Sequence, residues 1–82
     1  MEMARQFLRR GQPERALPIL GEVAREFPNG LFVEEREALQ IVALAKQGSR
    51  DAATIAAARF RKAHPQSVHL PAIDEALSPE EP

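Results

Sequence analysis

Displaced by 37 residues, the chain falls on its own pattern. Gly11 meets Gly48, Glu14 meets Asp51, Ala16 meets Ala53 and Leu20 meets Ala57. Val23 then meets Phe60, Arg25 meets Lys62, Pro28 meets Pro65 and Leu31 meets Val68, while Phe7-Leu8 falls on Leu44-Ala45. The order is break, small residue, apolar stripe, proline, at one fixed offset. Periods of about 20–50 residues mark helical arrays, in which each unit has an apolar face that only its neighbour can bury. Ala16 and Ala53 have no side chain beyond Cβ. They let two helices approach towards the short end of the ~8–10 Å packing range.

Within each unit the apolar spacing is helical. From Pro13 the apolar residues are Ala16, Leu17, Leu20, Val23, Ala24 and Phe27, one face of a 3.6-residue period. A short first segment ends at Phe7-Leu8, and Gly11-Gln12-Pro13 breaks it, with Gly suited to a helix end and Pro to a helix start. Pro28-Asn29-Gly30 ends the second helix. A third starts near Leu31 to Val33 and carries Glu34, Glu35 and Glu37 in its first turns, where the helix dipole favours acids. Its second half, Ala38 to Ala45, is apolar nearly all round and predicts the buried central helix. A fourth, alanine-rich helix is predicted over about Asp51 to Ala63, and a fifth over Leu70 to Leu77 with Pro71 in its first turn. Pro18 opposes the pattern. Inside a helix it removes an N–H and crowds the preceding turn, so a kink or a late helix start is expected there. No segment alternates like a strand, and the expected fold class is all-α.

The two units resemble tetratricopeptide (TPR) repeats. That family places a small residue at the turn, an alanine early in the second helix, apolar residues four and seven later, and a proline twelve after the alanine. Here these are Gly11, Ala16, Leu20, Val23 and Pro28, then Gly48, Ala53, Ala57, Phe60 and Pro65. The spacing of 37 exceeds the family's 34, as if three residues were inserted around Asn29 to Phe32, and the usual aromatic residues of the first helix are missing. The endings Arg-Glu-Phe-Pro-Asn-Gly and Lys-Ala-His-Pro-Gln-Ser look like unit ends of bacterial envelope TPR-like proteins, such as outer-membrane assembly lipoproteins and Tol–Pal coordinators. The run Leu31 to Leu39 looks like modules of deltaproteobacterial anti-sigma-type regulators.

The resemblance implies two TPR-like helical hairpins plus a C-terminal capping helix, a right-handed α-solenoid fragment. The units are expected over about residues 3–30 and 34–67, the cap over 70–77, and one domain over 1–77 with a flexible acidic tail at 78–82. By the same resemblance the function is protein–protein interaction, with a protein or peptide held in a groove lined by the first helices and the C-terminal segment. Arg5, Arg9, Glu37, Gln40 and Ile41 are its expected lining. The alternative is structural: two units fall short of the three or so that a solenoid usually needs, so the domain would form a homodimer through its stacking faces, burying Phe7, Leu8 and Leu77.

Other classes find little support in the residues. The formal charge is −1 and the pI about 6.1, which argues against a dedicated nucleic-acid binder. Without cysteine there is no disulfide scaffold, thiolate metal site or cysteine nucleophile. His64 and His69 flank Pro65 but lack two further converging ligands, so no metal or cofactor is expected. Glu34 and Glu35 are adjacent on a helix and point apart, so helix-start placement accounts for them without acid–base chemistry. Ser49, Ser67 and Ser78 sit at helix breaks as caps or turn residues, and no nucleophile elbow or phosphate loop exists. No enzyme and no catalytic residue is predicted. The N-terminal end is basic through Arg5, Arg9, Arg10 and Arg15, and the C-terminal end acidic through Asp74, Glu75, Glu80 and Glu81. No run approaches the ~20 apolar residues of a membrane span, so direct insertion is not expected. The opening inside an apparent helix reads as a domain taken from a longer chain, periplasmic or envelope in that case and otherwise cytoplasmic.

Overall fold

A computed structural model describes residues 2–27, 29 and 32–78. Among them are five helices: α1 (Glu2–Arg9), α2 (Pro13–Glu26), α3 (Val33–Lys46), α4 (Arg50–Ala63) and α5 (Leu70–Leu77). No strand occurs among the described residues, and the all-α expectation holds. The helix limits keep the sequence offset. α2 and α4 begin at 13 and 50, α3 and α5 at 33 and 70, and each pair differs by 37.

The first break in each unit has one physical cause. Gly11 and Gly48 take φ of +72° and +97°, in the left-handed region that side chains avoid. Gln12 N–H donates to Phe7 O at 2.8 Å and Gly11 N–H to Leu8 O at 3.1 Å. Ser49 N–H donates to Leu44 O at 2.9 Å and Gly48 N–H to Ala45 O at 3.2 Å, the same Schellman pairing. The second break also repeats: Phe27 ends α2 at φ −134°, ψ 64°, and His64 ends α4 at φ −133°, ψ 66°. α2 runs unbroken through Pro18, so the late start does not occur. The proline is exposed, where water can take up the carbonyl it leaves without an amide partner.

α3 packs against all four other helices, as its apolar second half predicts. Ala43 and Leu39 turn to Ala4, Leu8, Ala16 and Leu20 on α1 and α2. Ala38, Ile41 and Ala45 turn to Ala53, Ala57, Phe60 and Ile73 on α4 and α5. α1, α3 and α5 form one connected row, whereas α2 and α4 each flank α3 without touching one another. Ala16, Leu20, Ala53 and Ala57 are fully buried, so the paired positions of the two second helices serve the same role with different volumes.

The aromatic end of the α2 stripe departs from expectation. Phe27 is 61 % exposed rather than part of the core. At the matching place in the second unit, His64 packs beside Glu34 and Glu37 in the first turns of α3. α1 begins at Glu2, so no described turn stands in that place against Phe27. Arg36 is the opposite surprise, a charged residue 6 % exposed at the position where α5 has Ile73. Of the expected acidic tail only Ser78 is among the described residues, and Leu31 and Pro28 also lie outside them.

Candidate functional site

Because α2 and α4 stand apart across α3, a cleft opens between them. Its floor is Glu37, Gln40, Ile41 and Leu44 of α3, one wall is Leu17 of α2, and the other is Ala56, Arg59, Phe60 and Ala63 of α4. The four floor residues follow i, i+3, i+4, i+7, so α3 presents them in one line. The cleft has a volume of about 560 Å³ and is open to solvent along its length. Alanines at 56 and 63 keep the α4 wall low, and Ala52 extends that line by one turn. Arg59 rises from the same wall and takes part in no ion pair among the described residues. Half-buried Leu17 and Leu44 supply apolar surface, and Phe60, 3 % exposed, lies beneath them as core.

Three of the five residues expected to line a groove meet here: Glu37, Gln40 and Ile41. Ile41 is 2 % exposed, so it is floor and core at once. The walls are second helices, not the first helices that the family resemblance implies. Arg5 and Arg9 are on α1 and do not line this cleft. Arg5 pairs with Glu35 on α3 and with Glu2 one turn away, and Arg9 pairs with Glu2 at 3.2 Å. The Arg5–Glu35 pair ties α1 to α3, whereas the Arg9–Glu2 pair lies within α1 itself.

The three glutamates of α3 are thus divided among neighbours. Glu35 faces Arg5. Glu34 accepts a hydrogen bond from the Ser67 hydroxyl at 2.5 Å, and Ser67 Oγ in turn accepts from His69 N–H at 3.1 Å. The His64 ring lies between Glu34, 3.5 Å from Nδ1, and Glu37, 3.6 Å from Nε2, with the Phe60 ring centred 4.9 Å away. With its two nitrogens turned to different carboxylates, His64 joins the end of α4 to the start of α3. Among the described residues no three His, Asp or Glu side chains form a metal-binding group. Ser49 holds the N-cap position of α4 without capping it. Its hydroxyl accepts from Gln47 Nε2 at 3.0 Å instead.

Of the residues expected at a self-association face, Leu8 is spent inside its own chain at 7 % exposure. Phe7 is half-buried against the same cluster with the Arg15 guanidinium 5.9 Å above its ring, and Leu77 is half-buried against the second cluster. The large apolar side chains left to solvent are others: Met3, Phe27, Phe32, Ile55 and Val68. Ile55 follows from the helical period, since it lies four residues before Arg59 on the outer side of α4. A second, smaller cleft of about 430 Å³ lies where α5 stops short of the end of α3, between Val42, Lys46, Arg50 and Glu75. There the Arg50 guanidinium donates to Leu77 O and closes the end of α5.

No helix among the described residues is long and apolar enough to cross a membrane. Compared with protein-family models, curated proteins and solved structures, the chain matches none of them.

Proposed function

We propose that the chain is a non-enzymatic protein-interaction module, a TPR-like α-solenoid fragment of two helical hairpins and a capping helix. The 37-residue recurrence of helix limits and glycine turns supports the repeat reading. The observation that carries the function is the α2–α3–α4 cleft. It is open and mostly apolar, with a few polar groups, and a peptide or partner helix laid in it would bury the half-buried Leu17 and Leu44. The floor is rigid because Ile41 belongs to the core, so little ordering would be lost on binding.

The test combines solution mass with a blocking variant. Ala63 is exposed on the cleft wall, so Ala63→Trp fills the cleft without disturbing the core. The module reading expects a monomer near 9.1 kDa by light scattering, and helical peptides selected on the chain that no longer bind Ala63→Trp. A dimer dissociated by Leu77→Glu would instead establish the self-associating alternative. Peptides indifferent to Ala63→Trp would remove the cleft as the docking site.

A further inference from the structure

The two second helices end alike in backbone and differently in chemistry. Phe27 and His64 hold matching places at φ −134° and −133°. Each donates its backbone N–H to the carbonyl four residues back, at 2.8 and 2.7 Å. Phenylalanine at the first place shows that the helix end itself does not require histidine. What the imidazole adds is two nitrogens, and both face carboxylates. Nδ1 stands 3.5 Å from Glu34 Oε1, and Nε2 stands 3.6 Å from Glu37 Oε1. The Ser67 hydroxyl donates to the other oxygen of Glu34, Oε2, and so leaves Oε1 to the ring. A neutral imidazole has one N–H and one lone pair, so in either tautomer a lone pair is set against a carboxylate. Only the protonated ring offers a donor on both sides. The side chain is 28 % exposed and packs beside the Phe60 ring, so water screens the pairing only in part.

The surrounding charges do not answer the two carboxylates instead. On α4, Arg61 pairs with Asp74 of α5, and neither Arg59 nor Lys62 stands within ion-pair distance of a carboxylate among the described residues. After α4, Pro65, Gln66 and Ser67 carry no charge, and His69 turns its backbone N–H to Ser67 Oγ.

We propose that His64 is a proton-operated clasp. Protonated, it ties the end of α4 to the first turns of α3 through Glu34 and Glu37. Neutral, it lets that end of α4 loosen. Histidine changes charge between about pH 5 and 8. In the unfolded chain water alone surrounds the proton, whereas in the folded chain two carboxylates hold it. The added stability is therefore complete at the acid end of that range and is lost as pH rises through it. Glu37 also lines the α2–α3–α4 cleft and Ala63 is part of its wall, so the clasp sets how firmly one end of the cleft is held, with or without a docked peptide.

The test is urea denaturation at intervals from pH 5.5 to 8. It compares the natural chain with His64→Phe, His64→Gln and the double variant Glu34→Gln/Glu37→Gln, all of which keep His69. The folding equilibrium constant of the natural chain relative to His64→Phe should fall about three- to tenfold across the range. His64→Gln gives the same fall and serves where the phenylalanine variant does not fold. The double variant keeps the ring and should lose the dependence. Hydrogen exchange then separates the clasp from global stability. Protection of the His64 amide, corrected for the intrinsic rate, should fall with pH relative to that of the Phe27 amide, whose helix end has no titrating ring. Curves that run parallel in the natural chain and both His64 variants would overturn the proposal. So would a pH dependence that survives in the double variant, or His64 and Phe27 amides whose protection keeps one ratio throughout.

Discussion

Replacing Arg36 by methionine should stabilise the protein. Arg36 is 6 % exposed, its Nε is buried without a hydrogen-bond partner among the described residues, and no carboxylate there stands within ion-pair distance. Taking a charge from water costs several kcal/mol unless a partner returns it, and exchanging buried ionic groups for apolar ones of similar volume gains about 1–4 kcal/mol where the pairing is poor. An unmet buried donor alone costs about 1–3 kcal/mol. Methionine keeps the length, bends to fill the space, and matches arginine in helix propensity, so the backbone contributes little. At the matching place in α5 the chain itself uses fully buried Ile73. A gain of about 1–2 kcal/mol follows, which in a domain this small raises Tm by roughly 5–15 °C. Urea denaturation at unchanged slope is the assay, because a shift in midpoint alone then reports stability. The mirror change, Ile73→Arg, buries an uncompensated charge and should cost about 3–5 kcal/mol. A loss of more than about 1 kcal/mol in Arg36→Met would refute the reasoning, since it would mean that a counter-charge holds the guanidinium.

Glycine substitutions should divide by backbone angle. Gly48→Ala at φ +97°, with open space around the added Cβ, loses about 1–2 kcal/mol through strain alone, whereas Gly21→Ala inside α2, with equal space, gains about 0.5–1 kcal/mol; thermal melts read both. Leu20→Ala removes a fully buried side chain between α1, α2 and α3 and should cost about 2–5 kcal/mol, a large part of the roughly 4–12 kcal/mol expected for 82 residues. Arg5→Ala strips the partner from Glu35, whose side chain is 15 % exposed, and should cost about 1–3 kcal/mol, most of it recovered in a double-mutant cycle when Glu35→Gln is added. Ile55→Ser, on the exposed edge of α4, should leave stability within about 0.5 kcal/mol.

The all-α class and the helix limits were legible because they are local. Gly11, Gly48 and Pro13 mark breaks by their own backbone preferences, and α2, α4 and α5 lie within a residue or two of their expected spans. The central place of α3 was legible too, since only a helix with neighbours on several sides tolerates Ala38 to Ala45 apolar nearly all round. What the sequence concealed depends on partners distant in the chain. Nothing near Arg36 in sequence indicates its burial, and nothing near Glu35 names Arg5 as its partner. Phe27 continues an apolar stripe, yet a stripe buries its last residue only if another element stands opposite. Leu8 reads equally as core or as interface until α2 and α3 close over it. Three cleft residues were found because they share a face of α3, but the walls come from α2 and α4, whose separation is a property of the packing.

The account's central claim is that the α2–α3–α4 cleft is the face this molecule offers to other proteins. The direct measurement is a nuclear magnetic resonance titration of the whole chain with a helical peptide selected on it, following every backbone amide. Shifts concentrated at Leu17, Gln40, Leu44, Arg59 and Ala63 are the predicted result. Shifts concentrated instead at Phe7 and Leu77, with the cleft unmoved, would contradict it.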